Sequence, residues 1–96
     1  MATFISLLNF TDQGIRNIKD SPERVASFKA MAEKMGVSVK GVFYTVGQYD
    51  MVVIVEGTDE AYTATMLKAG TLGNVRSQSL RGFSVDEMKK IIGSLA

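Results

Sequence analysis

The spacing of apolar residues along the chain shifts repeatedly between a period of two and one of roughly three and a half. From Thr3 to Phe10 the pattern is that of a strand. Phe4, Leu8 and Phe10 share one face and Ile5 and Leu7 the other, so both faces are largely apolar. A polar stretch, Thr11 to Asp20, follows with Gly14 inside it and predicts a loop. Ser21-Pro22-Glu23 predicts a helix start, with Ser21 as cap, Pro22 at the first helical position and Glu23 near the positive end of the dipole. Val25, Phe28, Met31, Ala32 and Met35 recur at helical spacing, and Gly36 predicts the stop.

Val37 to Val46 is rich in β-branched and aromatic residues and predicts a second strand. Asp50 to Glu56 predicts a third, with Met51, Val53 and Val55 on one face and Val52 and Ile54 on the other. Gly47-Gln48 between them reads as a hairpin tip, with Gly47 free to take positive φ. Gly57-Thr58 opens a second helix with Asp59 and Glu60 in its first turn; Ala61, Ala64, Thr65 and Leu67 suggest its packing face, and Gly70 its end. Val75 to Phe83 predicts a fourth, more polar strand. Ser84-Val85-Asp86-Glu87 is a capping box, opening a last helix with Val85, Met88, Ile91, Ile92 and Leu95 on one stripe.

The order β-α-β-β-α-β plus a C-terminal helix predicts an α+β, ferredoxin-like split βαβ fold, one domain over residues 1–96. Its central strands, the first and third, are the ones apolar on both faces. One face meets the helices of the chain and the other needs a cover. A second sheet from another subunit would supply it, giving a dimeric α+β barrel; in the alternative, the C-terminal helix folds back over the open face of a monomer.

Composition narrows the chemistry. With 96 residues, 46% of them apolar and 22% charged, the chain can build one ordinary core and is not disordered. Eleven Lys and Arg against ten Asp and Glu leave a net charge of +1, which predicts no strong attraction to nucleic acid or to anionic lipid. There is no Cys and no His, so disulfides, thiolate metal sites and serine–histidine catalysis are excluded. No apolar run has the length of a membrane span. The Met1-Ala2-Thr3-Phe4 start has no basic n-region, and the cytoplasm is the expected compartment. Carboxylates show no metal-loop spacing and no phosphate-binding glycine loop is present, so no cofactor or metal is expected.

The sharpest local feature is Gly47-Gln48-Tyr49-Asp50 between two apolar strands. With it stand Phe4-Ile5-Ser6-Leu7, the turn Asn9-Phe10-Thr11-Asp12-Gln13-Gly14, the segment Asn17-Ile18-Lys19-Asp20-Ser21-Pro22, the strand Asp50-Met51-Val52-Val53-Ile54-Val55-Glu56-Gly57, and Leu72-Gly73-Asn74-Val75-Arg76. On these residues the chain resembles the GYD domain family, named for a Gly-x-Tyr-Asp signature. The resemblance spans nearly the whole chain and implies a dimeric α+β barrel; the family is largely of unknown function. The second half is also similar, more distantly, to the effector-binding domain of leucine-responsive-type regulators. That likeness implies small-molecule binding at subunit interfaces, here without a DNA-binding module.

Candidate ligand-binding residues fall in two places. Tyr49 offers a flat ring with a hydroxyl, and Asp50 a carboxylate for turn amides or for a cationic group; hairpin architecture explains both equally. The polar stretch before the first helix holds Asp12, Gln13 and Lys19, either a binding loop over a rigid sheet or a solvated connection. Tyr44 faces a cleft or packs on its strand. Arg76 and Arg81 share no strand face and read as solvated edge charges, and Met31, Met35 and Met88 as core filler. The leading expectation is a homodimeric small-molecule binding or sensing module with its site at the sheet, loop and dimer interface. The alternatives are a cofactor-independent monooxygenase- or isomerase-like enzyme relying on Tyr44, Tyr49, Lys19 or Asp50, and a structural or assembly subunit.

Overall fold

Period-two burial is clearest in the two central strands. In the computed structural model, which describes residues 1–95, β1 (Ala2–Phe10) buries Phe4, Ser6 and Leu8, and β3 (Met51–Gly57) buries Met51, Val53 and Val55. Around them the chain runs through α1 (Asp12–Arg16), a 3-10 turn (Ile18–Asp20), α2 (Ser21–Lys34), β2 (Ser38–Tyr44), α3 (Asp59–Thr71), β4 (Val75–Gly82) and α4 (Val85–Gly93). Among the described residues the strands form one antiparallel sheet in the order β2-β3-β1-β4. This is the ferredoxin-like arrangement, with the expected extra helix at the C-terminus.

The two faces of the sheet differ in cover. On the helix side, Phe4, Leu8, Met51, Val53 and Val55 pack with Ala32 of α2, Val37 and Tyr62 of α3 to form the core. The other face carries Ile5 and Leu7 from β1, Val52 and Ile54 from β3, Phe43 from β2 and Leu80 from β4, as the register requires (Phe43 opposite Val52, Leu80 opposite Ile5). Phe43 is 57% exposed and Leu80 42%, so no helix among the described residues covers this side.

α4 does not fold back onto it. Its capping box forms as predicted: Ser84 Oγ accepts from the Glu87 N–H, and Glu87 Oε1 accepts from the Ser84 N–H. Yet its apolar stripe meets water: Val85 is 75% exposed and Ile92 55%, and Met88, Ile91 and Leu95 are exposed with them. Among the described residues no helix is long and apolar enough to cross a membrane.

Four expectations are corrected. The stretch predicted as a loop, Thr11 to Asp20, is folded into α1 and the 3-10 turn, because Thr11 Oγ1 accepts from the Gly14 N–H and caps the first turn. Ser21 is not the cap of α2. It already lies in helical conformation after Asp20, is buried, and its hydroxyl is hydrogen-bonded to that of Tyr44 at 2.8 Å. α3 runs through Gly70 to Thr71, and the positive φ falls at Gly73 (+78°). The packing face of α3 is also rotated. Tyr62 and Thr65 are buried, whereas Ala64 and Leu67 are exposed.

Candidate functional site

Two segments distant in sequence are joined at one end of the sheet. Thr11 donates its N–H to Asn74 O (3.0 Å) and its hydroxyl to Gly73 O (2.6 Å). Gln13 Nε2 donates to Leu72 O and to Asn74 Oδ1, both at 2.9 Å. The turn before α1 and the turn between α3 and β4 thus form one hydrogen-bonded corner. Gly14 sits inside it so closely that a Cβ there would lie 2.0 Å from Asn74 O, a distance no side chain tolerates.

Asp50 closes the same end from the hairpin. It precedes β3 by one residue, yet its N–H donates to Leu8 O and its carbonyl accepts from the Thr45 N–H, both at 2.8 Å. The next outward-pointing donor of β1 on that side, the Phe10 N–H, has no β3 carbonyl opposite it. Asp50 Oδ2 accepts it instead at 2.9 Å, a charge-assisted bond in place of a ladder bond. The hairpin between Thr45 and Asp50 is pinned by Thr45 Oγ1, which donates to Tyr49 O, and by Gly47 at φ +135°. The Tyr49 ring crosses β1 on the side no helix covers, and its hydroxyl donates to Gln78 Oε1 of β4 at 2.7 Å.

The six residues singled out from sequence therefore lie at one end of the sheet but in different surroundings. Gln13 and Asp50 hold the corner and the strand end. Tyr49 lies on the open face. Tyr44, half exposed, is tied by its hydroxyl to Ser21 at the start of α2. Asp12, on α1, and Lys19, on the 3-10 turn, are exposed to solvent.

Two features escaped the sequence reading. The first is a cleft of about 820 Å³ on the helix side, between α2, α3 and the sheet, with Gln13, Asn74 and Asn17 at its mouth. It is bounded by residues from both helices and the sheet, remote from one another in sequence, and its sequence trace is the weak apolar face of α3. The second is Tyr62. Its ring stacks on Phe4 with centroids 4.1 Å apart and planes 2° from parallel. Its hydroxyl is hydrogen-bonded to Ser6 Oγ and, at 2.5 Å, to Ser79 Oγ. Ser6 and Ser79 face each other across β1 and β4, so three hydroxyls satisfy one another, Ser6 and Tyr62 from the buried side and Ser79 at the surface. Arg81 lies beside this group, its guanidinium 5.7 Å from the Phe4 centroid and 4.4 Å from that of Phe83.

Charged groups are dispersed. Among the described residues no three Asp or Glu side chains converge as a metal site would need. Glu87 is held below the usual carboxylate range, first by the Ser84 N–H and then by the Ser84 hydroxyl.

No solved structure matches the chain. A protein of Thermus thermophilus described as a glutamine synthetase and cystathionine beta-lyase binding protein is 33% identical over 90 residues, covering 92% of this chain and 95% of the relative. The GYD domain profile matches residues 4–92, which takes in the stapled corner, the Asp50 clasp and most of α4. The match runs from the first strand into the last helix and takes in all or most of every element, and the chain belongs to the GYD domain family.

Proposed function

We propose that this protein is a homodimeric interaction module that pairs with a second copy through its open sheet face and presents α4 to a partner protein. The observation that carries this reading is the open face itself. Apolar residues from all four strands (Ile5, Leu7, Val52, Ile54, Phe43 and Leu80) point to a side that no helix covers. An antiparallel sheet apolar on both sides needs cover on both, and a two-fold pairing of identical faces satisfies both copies at once. Tyr49, lying across β1 and bonded to Gln78, would sit at the border of that pairing.

α4 is left over once the sheets are paired. It is capped and amphipathic, with its stripe of Val85, Met88, Ile91 and Ile92 in water, the form in which a helix lies into an apolar groove of another protein. The Thermus relative is named for binding two metabolic enzymes, and a client of that kind, a glutamine synthetase or a cystathionine beta-lyase, is the partner we assign to this helix.

Analytical ultracentrifugation at micromolar concentration tests the pairing. The wild type should sediment as a dimer and the double variant Phe43→Glu/Leu80→Glu as a monomer; a monomeric wild type defeats the proposal. For α4, Ile92→Asp should leave the dimer intact and abolish retention of glutamine synthetase and cystathionine beta-lyase on an immobilised sample. Equal retention by both forms removes α4 from the contact.

A further inference from the structure

The cleft on the helix side of the sheet has the size and lining of a small-molecule site. Its volume, about 820 Å³, falls in the range of pockets that enclose a drug-sized ligand, roughly 300–1,000 Å³. The sheet supplies Leu8, Phe10 and Met51 as its floor, α2 supplies Phe28 and Met31, and α3 supplies Met66. Phe28 and Met66 pack against the core and Met31 lines the cleft beside them, yet each keeps part of its surface in contact with solvent. Apolar side chains that face a fold's interior and still meet water gain from any apolar occupant, about 25 cal/mol for each Å² removed from solvent.

The rim decides the ligand's charge. Asp20 and Glu23 stand there with Arg24 and Lys68, two of each sign. Arg24 is already committed to backbone carbonyls, donating to Asn17 O at 2.7 Å and to Gly14 O at 3.4 Å. Gln13 and Asn17 likewise donate to groups of the chain itself. No ionisable side chain lies among the floor residues. A charged headgroup would find no matching excess, whereas a neutral molecule with one hydroxyl or carbonyl would leave its polar end at the mouth.

We infer that this cleft binds a neutral, largely apolar small molecule of drug-like size, such as a long-chain or polycyclic alcohol or ketone. The site lies on the opposite side of the sheet from the face assigned to dimer pairing and is separate from α4, so it goes beyond the interaction reading and stands or falls independently of it.

The neutral fluorophore N-phenyl-1-naphthylamine provides the test, with 1-decanol, decanoate and decylammonium as competitors. One saturable equivalent per chain is expected, displaced at least tenfold more effectively by decanol than by either ion. Ala69→Trp and Ser27→Trp each place an indole over the cleft from outside the buried core and should weaken probe binding at least tenfold, provided circular dichroism and melting show each variant folded. Phe43→Glu/Leu80→Glu and Ile92→Asp should leave it unchanged. The inference is overturned if no saturable equivalent appears, if the folded Trp variants bind as the wild type does, if the ions compete as well as decanol, or if the probe is lost with the sheet-face or α4 variants.

Discussion

Replacing Asp50 by Ala should lower stability by about 2 kcal/mol, and the geometry says why. The Asp50 backbone keeps both of its bonds, to Leu8 O and from the Thr45 N–H, whatever the side chain. Only the bond from the Phe10 N–H to Asp50 Oδ2 is lost. A hydrogen bond to a charged group contributes about 1.5–3 kcal/mol, and an orphaned donor costs about 1–3. Both partners are half-buried, so water replaces part of the loss and the middle of the range applies. For a chain this short the melting midpoint should fall by roughly 8–16 °C. Asp50→Asn keeps an oxygen at the same place without its charge and should lose about half as much. Thermal melts measure the totals, and hydrogen exchange at the Phe10 amide localises them, since that amide alone should lose its acceptor. An Asp50→Ala protein that melts with the wild type, or whose Phe10 amide exchanges no faster, would refute the assignment of Asp50 as the cap of β1.

Other perturbations follow from the same contacts. Gly14→Ala drives a Cβ against Asn74 O and should cost about 3 kcal/mol or more, seen as a collapsed melting midpoint or insoluble expression. Tyr62→Phe keeps the stack on Phe4 and leaves Ser6 and Ser79 facing each other across the strands, so the loss should be only about 1 kcal/mol in urea unfolding. Tyr62→Ala removes the ring as well and should cost about 3–5 kcal/mol. The folded-state pKa of Glu87 lies below its unfolded value, so its capping contribution is present above the ordinary carboxylate pKa of about 4.3 and disappears as pH falls through the lowered value. The Ser84 amide resonance should therefore shift on acidification below the ordinary carboxylate pKa, and in Glu87→Gln that shift should be absent.

The strands were legible because a two-residue period survives any tertiary context. Met51, Val53 and Val55 are buried where alternation puts them, and the uncovered side follows from Val52 and Ile54. The capping box of α4 was legible for a similar reason, being local and complete within four residues. What was not legible depends on partners remote in sequence. Five residues with a glycine among them look like a loop until Asn74 is set beside Gly14. Ser21 is a good cap by residue type, but Tyr44 takes its hydroxyl. In α3 the apolar and small residues are spread so evenly that Ala64 and Leu67 compete with Tyr62 and Thr65 for the buried face, and only the position of Phe4 decides. At the candidate site, Asp50 was visible as an acceptor for nearby amides, while its actual donor lies 40 residues earlier.

The corner that joins Thr11 to Gly73 spans 62 residues, and it bears on how the nascent chain behaves on the ribosome. β1 is made first, yet it sits between β3 and β4 and takes neither neighbour until each has been synthesised. The hairpin of β2 and β3 is closed by a short connection and can form early, whereas the β1–β4 ladder and its corner must wait for nearly the whole domain to leave the exit tunnel. Until β3 emerges both edges of this apolar strand, Phe4 to Leu8, are unpaired, and the edge that β4 will take stays open to other chains longer still. Polysomes translating this message would hold the same apolar segment open on each ribosome until β4 emerges, which sets neighbouring nascent chains of one message side by side with the same edge unpaired.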